Sequence, residues 1–371
     1  MRGRHDDATR GESGNPLIDV RSSFARYLTA VHDGERGEAI NIALTLLQQG
    51  VSAERVVTDL LVPAQARIGL GWQEGHWSVG MEHRASSISE SALQAVVHHA
   101  MSEPGAVREG SLGRVVIACS EGEWHVLPGR MAAGVLRLRG ADVSFFEPSV
   151  PADELSGLLG DDPPTAVAVT CSMPMSLVGA WRSISALRSV GMTVVCAGRG
   201  FGPGGRWGLA LGADLWAPDF PVGADVLLAA VTRPAPAPRE PAGEPARIDE
   251  VCTLGREHET LVEEATQAAL SAWPTIGNSE AAMRAAREGL ATTLRVIGSA
   301  TLVGDLGMVT DHVRWFEAVL TGHGPLPPAF GASAFQLLLD VLPARLVGAR
   351  DSARAGRDAC AGPGLAPEYS L

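Results

Sequence analysis

At 371 residues the chain is long enough for two or three domains of ordinary size, and a hydrophobic fraction of 46% is ample for each to bury a core. A formal net charge of -12 would repel a phosphate backbone, and no basic cluster offsets it, which argues against direct nucleic-acid binding. All thirty basic residues are arginine, which excludes Schiff-base chemistry and a P-loop lysine.

No stretch reaches the roughly 18 to 20 unbroken apolar residues of a membrane span, and Met1–Pro16 is too polar for a signal peptide, so the expected location is cytoplasmic. The five cysteines, Cys119, Cys171, Cys196, Cys252 and Cys360, form no CxxC pair. Three of them lie in or beside apolar runs and read as buried, reduced thiols.

From residue 17 to 105 the apolar positions recur at helical spacing, as in Ile40, Leu44, Leu47 and Val56, Leu60, with breaks at Gly34, Gly50 and Gly75. Four helices packed as a bundle are predicted. After Glu103-Pro104-Gly105 the pattern changes to the short apolar run Val115-Val116-Ile117-Ala118, and from there strands and helices alternate. Helices are predicted near Leu127–Leu138, Leu155, Trp181–Leu187 and Trp207, with strands near Val143, Ala166–Val169, Thr193–Cys196 and Asp214–Trp216. Near-continuous apolar strands separated by helices require a parallel sheet covered on both faces, so residues 113–231 read as a Rossmann-like, doubly wound five-stranded domain. Five prolines between Pro234 and Pro245 mark a linker, 232–247. Helical periodicity returns over 248–347, a separate all-helical module, and the Ala, Gly and Arg-rich end, 348–371, reads as a flexible tail. The fold class is therefore α/β plus all-α.

Directly after the first strand, Ser120-Glu121-Gly122-Glu123-Trp124-His125-Val126-Leu127-Pro128-Gly129 puts a carboxylate and a histidine at the carboxyl edge of the sheet, where open α/β sheets bind ligands. Glu123 can accept one ring N–H of His125, fixing its tautomer and leaving the other nitrogen for a metal. A loop histidine beside a surface carboxylate is the plain alternative.

This segment resembles the first strand-helix-strand unit of cobalamin-binding domains, whose Asp/Glu-x-His-x-x-Gly motif supplies the lower axial ligand of cobalt. The resemblance assigns Glu123 and His125 to the first two motif positions; Pro128 stands where the motif has glycine, and Gly129 follows. It also implies contacts to the nucleotide tail from Thr170 and Ser172 after the third strand and from Gly198 and Gly200 after the fourth. Within the bundle, Trp72 followed after nine residues by Glu82-His83 resembles the cap of CarH-type adenosylcobalamin photoreceptors, in which these side chains surround the upper ligand. Gln73 departs from that pattern, which has histidine there, so the two-histidine product of photolysis is not expected unless His76 or His83 substitutes.

In the last module His258, Trp273, Arg284, Arg287, Arg295, His312, Arg314, Trp315 and His323 could line a pocket for a flat chromophore with carboxylates, or the arginines could be solvated on a dimerisation bundle. The domain order resembles the photocobilins, cobalamin photoreceptors with a second, bilin-binding helical module, and implies biliverdin as a second chromophore; the only cysteines there are Cys252, near the first helix, and Cys360, in the tail, so non-covalent binding is expected. A haem on His258, His312 or His323 is a further alternative.

The expected function is a light sensor that binds adenosylcobalamin base-off and His-on, with photolysis of the cobalt–carbon bond changing domain packing and subunit association. The alternative is a corrinoid methyl carrier for a methyltransferase. No nucleophile with a base, HExxH or GxGxxG after the first strand occurs, so the chain is not expected to be an enzyme. The expected partners are a second copy in a light-dependent dimer and a downstream protein, with neither nucleic acid nor membrane.

Overall fold

The computed structural model describes residues 20–107, 110–147, 150–161, 163–219, 221–234, 236–327 and 329–360. Positions 17–19 of the expected bundle and 361–371 of the expected tail lie outside them.

The first helices are Val20–Asp33 (α1), Arg36–Gln48 (α2), Ala53–Val56 (α3), Val62–Gln73 (α4) and Val79–Ser102 (α5). α3 runs through a π-helical turn, Val57–Leu61, into α4. The turn falls just before Pro63, which has no N–H to give the carbonyl four residues back, so the helical ladder must slip there. Ser78 caps α5 by accepting the Met81 N–H at 3.3 Å. These helices form the predicted bundle over one face of the sheet.

The sheet comprises Arg114–Cys119 (β1), Asp142–Phe146 (β2), Ala166–Thr170 (β3), Val194–Ala197 (β4) and Leu215–Ala217 (β5), all parallel, in the order β2-β1-β3-β4-β5. Successive side chains point to opposite faces, and both sets are buried. Val115, Ile117, Ala166, Ala168 and Val195 join the core of the bundle, together with Leu127–Leu138 (α6) and Val222–Val231 (α10). Val116, Ala118, Val167, Val169, Val194 and Cys196 face the other way, onto Ala152–Asp161 (α7) and Leu177–Ser189 (α8). Short Arg206–Ala210 (α9) precedes β5. The order reverses direction between β1 and β3, the switch point at whose carboxyl edge open α/β sheets bind ligands.

The remaining helices are Pro245–Ala272 (α11), Glu280–Val303 (α12), Gly307–His323 (α13), Phe330–Val341 (α14) and Val347–Cys360 (α15). Three sequence expectations are corrected here. The module is not separate, because its apolar residues form one continuous core with α7, α8 and the sheet face beneath them. The proline-rich linker is strapped down: Arg239 pairs with Asp214 at 2.6 Å, Trp181 Nε1 donates to the Ala242 carbonyl at 2.9 Å, and Pro245 already opens α11, where its missing N–H costs nothing. The expected tail is a helix as far as Cys360, burying the small residues Ala349, Ser352, Ala353 and Gly356. Small side chains on one face let two helices approach closely, which a reading based on large apolar residues overlooks.

Candidate functional site

The β1–α6 loop turns back at once, with the Glu123 N–H donating to the Ser120 carbonyl at 2.9 Å. That turn drives the Glu123 side chain inward until it is 1% exposed. One carboxylate oxygen accepts the His125 backbone N–H at 2.9 Å and meets His125 Nδ1 at 2.5 Å. The other accepts the backbone N–H groups of Ser172 at 2.7 Å and Met173 at 3.3 Å, in the loop after β3. One side chain thus ties together the two loops at the switch point. Burial pushes its carboxyl up, yet the His125 hydrogen bond and charge and the backbone donors outweigh it, and Glu123 stays below the ordinary carboxylate range.

With Nδ1–H engaged by Glu123, the lone pair of His125 Nε2 is left for a ligand, and 52% of the side chain is exposed. The Glu123 hydrogen bond raises the imidazole pKa, burial opposes this, and the charges of Glu123 and of Glu82 in the bundle add to the rise. Glu82 also lies within 2.5 Å of His83 Nδ1 and accepts from Ser86 at 2.7 Å, while Ser86 accepts from Gln65. His83 itself is 76% exposed. Trp72, near the end of α4, is half-buried and meets Trp315 of α13, ring centroids 6.3 Å apart.

The departure from the motif at Pro128 has a simple structure. Pro128 sits in the first turn of α6, and Gly129 lies where a Cβ would stand 2.8 Å from the Phe145 ring. Gly129 thus lets α6 pack closely on β2. Thr170 and Ser172 both lie at the β3 edge, but what Ser172 shows is its backbone N–H on Glu123. Gly198, at φ 102°, and Gly200 wrap the end of β3: a Cβ on Gly198 would lie 2.4 Å from the Cys171 carbonyl, and Gly200 N–H donates to that oxygen at 2.9 Å. Their smallness is used against the chain itself. Cys119, Cys171 and Cys196 are buried as expected.

Sequence reasoning missed Met173 and the backbone role of Ser172, because a backbone donor leaves no side-chain signature. It missed Trp315 as a neighbour of Trp72, since nothing in the spacing joins positions so far apart. In the last module Arg287 is held by Glu259 and Glu263 at the surface, and Arg284 is exposed. His312 is 8% exposed within a ring of aromatics and donates from Nε2 to Thr293, whose own hydrogen goes to the Gly289 carbonyl. His258 is mostly buried, and the side chain of His323 lies outside the described residues.

Residues 23–96 match the family described as the B12 binding domain. That stretch covers most of the helical bundle and indicates a cobalamin or corrinoid cofactor. The chain also resembles the monomethylamine corrinoid protein of Methanosarcina barkeri, at 15% identity and TM-score 0.48, over 56% of this chain and 98% of that one. It resembles a cobalamin-binding protein from Desulfitobacterium hafniense at 16% identity and TM-score 0.33, over 58% of this chain and 99% of that one. No match is found among the curated proteins.

The residues present fit such a cofactor. A corrin ring supplies four nitrogens to its metal, so the protein needs to add one axial donor, and His125 offers an outward nitrogen fixed by a buried carboxylate. Among the described residues no group of three or more His, Cys, Asp or Glu could hold a bare ion, and a corrinoid needs none. No helix among them is long and apolar enough to cross a membrane.

Proposed function

We propose that the chain binds cobalamin base-off, with His125 Nε2 as the lower axial ligand, between the helical bundle and the carboxyl edge of the sheet. The observation that supports this best is Glu123, buried at 1% exposure and accepting from four donors, two of them on His125. A buried carboxylate so engaged holds the imidazole in one tautomer and orientation, which is what a metal ligand requires. Glu82 and Trp72 belong to the upper wall, Thr170, Ser172, Gly198 and Gly200 to the region of the nucleotide tail.

Bound cobalamin supplies a cobalt–carbon bond that light or a methyl-accepting partner can break. In the first use, adenosylcobalamin sensing of light, the protein must hold its upper wall in register with another element, and the Trp72–Trp315 contact provides one. Biliverdin in the second module, bound without a covalent link, belongs to that reading, as do the light-dependent dimer and a downstream protein. In the second use, methyl carriage, the upper face must be reachable by a partner enzyme. The B12 binding domain at 23–96 fits this use at least as well, since carriage needs only cap, sheet and lower ligand.

Loading the protein with adenosylcobalamin and recording absorption and size-exclusion profiles in darkness and under green light separates the readings. Light-dependent change in both, altered in His125→Ala, supports the sensor. Stable binding without a response supports the carrier, and wild type that binds no corrinoid overturns both.

A further inference from the structure

The second helical module touches the proposed cofactor site at three separate places. α12 packs on the turn Pro174–Ser176, which continues from the Ser172 and Met173 donors to Glu123. Asp305, between α12 and α13, accepts from Arg206 at 2.6 Å and from Trp207 Nε1 at 2.9 Å, just past the glycine loop that wraps the end of β3. Trp315, on α13, meets Trp72 of the bundle at 6.3 Å and a tilt of 42°. Lower-ligand loop, tail region and upper wall each have a neighbour on the same module.

The third contact differs from the others in what stands behind it. Trp315 is stacked on His312 at 5.6 Å and 28°, and His312 on Phe316 at 5.5 Å and 13°, with Phe335 edge-on. Phe316 and Phe335 are core residues, and His312 is fixed by Thr293. The Trp315 indole is thus backed by close-packed rings that resist displacement, whereas Trp72 lies in the last turn of α4 before the loop that leads to α5. A rigid ring set against a ring at a helix end fixes the latter.

We propose that Trp315 is a positioning residue for the upper wall of the cobalamin site, acting by holding the Trp72 indole; this rests on the cobalamin-binding reading above. The coupling is reciprocal, so a change at the upper ligand that moves Trp72 is felt by α13.

The test uses full-length protein loaded with aquocobalamin, following by absorption the rate at which cyanide replaces the upper water. Trp315→Ala, Trp315→Phe, Trp72→Ala and the Trp72→Ala/Trp315→Ala double variant are compared, with His125→Ala titrated for affinity. Trp315→Ala should change the rate by about two- to tenfold, the span an aromatic pair implies. Trp315→Phe should restore it, and the double variant should behave as Trp72→Ala alone. A wild-type rate in Trp315→Ala, or effects that simply multiply in the double variant, overturns the role of Trp315 while leaving cobalamin binding in place. Wild type that binds no cobalamin, or His125→Ala that binds as tightly, overturns the underlying reading and the inference with it.

Discussion

Glu123 has four hydrogen bonds to accept and no spare donor, which makes its chemistry unforgiving. In Glu123→Gln, one carboxylate oxygen becomes an NH2 group that faces N–H groups, leaving buried donors unpaired. The expected cost is about 1–3 kcal/mol of stability in cofactor-free protein, read from urea unfolding. Cobalamin affinity should fall by about 10- to 100-fold in a spectroscopic titration, since the outer partner of the proposed axial histidine has gone. An unchanged affinity would mean that Glu123 only folds the loop. The Glu123–His125 pair was legible because both side chains lie two residues apart on one loop. Ser172 and Met173 were not, because their backbone groups act from another strand's end.

A second residue, His312, sets a pH dependence of its own. Burial pushes its pKa down to about 4. As pH falls, the unfolded chain takes the proton first, near its ordinary value of about 6.5, so stability from this site is complete above that pH and is lost between there and about 4. The loss is of the order of 3 kcal/mol. Urea unfolding of wild type and His312→Phe at pH 7, 5.5 and 4.5 should show a steeper decline in wild type; parallel declines would contradict the burial of a neutral imidazole.

At the scale of elements, helix α6 was read from the sequence with its observed limits because an apolar stripe, Pro128 and the following Arg139-Gly140 agree on where it starts and stops. Helix α15 was missed because its buried face is built of Ala349, Ser352, Ala353 and Gly356, which have helical spacing but little hydrophobicity. The face is nonetheless close-packed: a Cβ on Gly356 would stand 2.4 Å from the Phe335 ring. Gly356→Val therefore has nowhere to put its methyl groups unless α15 moves off α14, and should cost about 1–3 kcal/mol. The melting temperature should drop by several degrees, whereas a free tail would tolerate the change without effect.

For the whole molecule, the sequence supports three units separated by a break and a linker, and the structure keeps the elements while removing the independence. The reason lies in the strands. Val116, Val167 and Val194 bury their side chains under α7 and α8, in the same continuous core as the last module, while Val115, Ala166 and Val195 bury theirs against the bundle, so the strands lie between the two helical layers. Alternation within an apolar strand is invisible when every position is apolar, and the sequence therefore could not say what each face would meet. Two bodies joined by a free linker would melt separately, in two calorimetric transitions. Layers joined through one continuous core should melt together, because losing either one exposes apolar surface of the rest. Scanning calorimetry of the cofactor-free protein should show one endotherm whose calorimetric and van't Hoff enthalpies agree. Two resolved endotherms, one of them unmoved by Gly356→Val, would restore the independence of the last module and remove the physical route by which Trp315 constrains the upper wall.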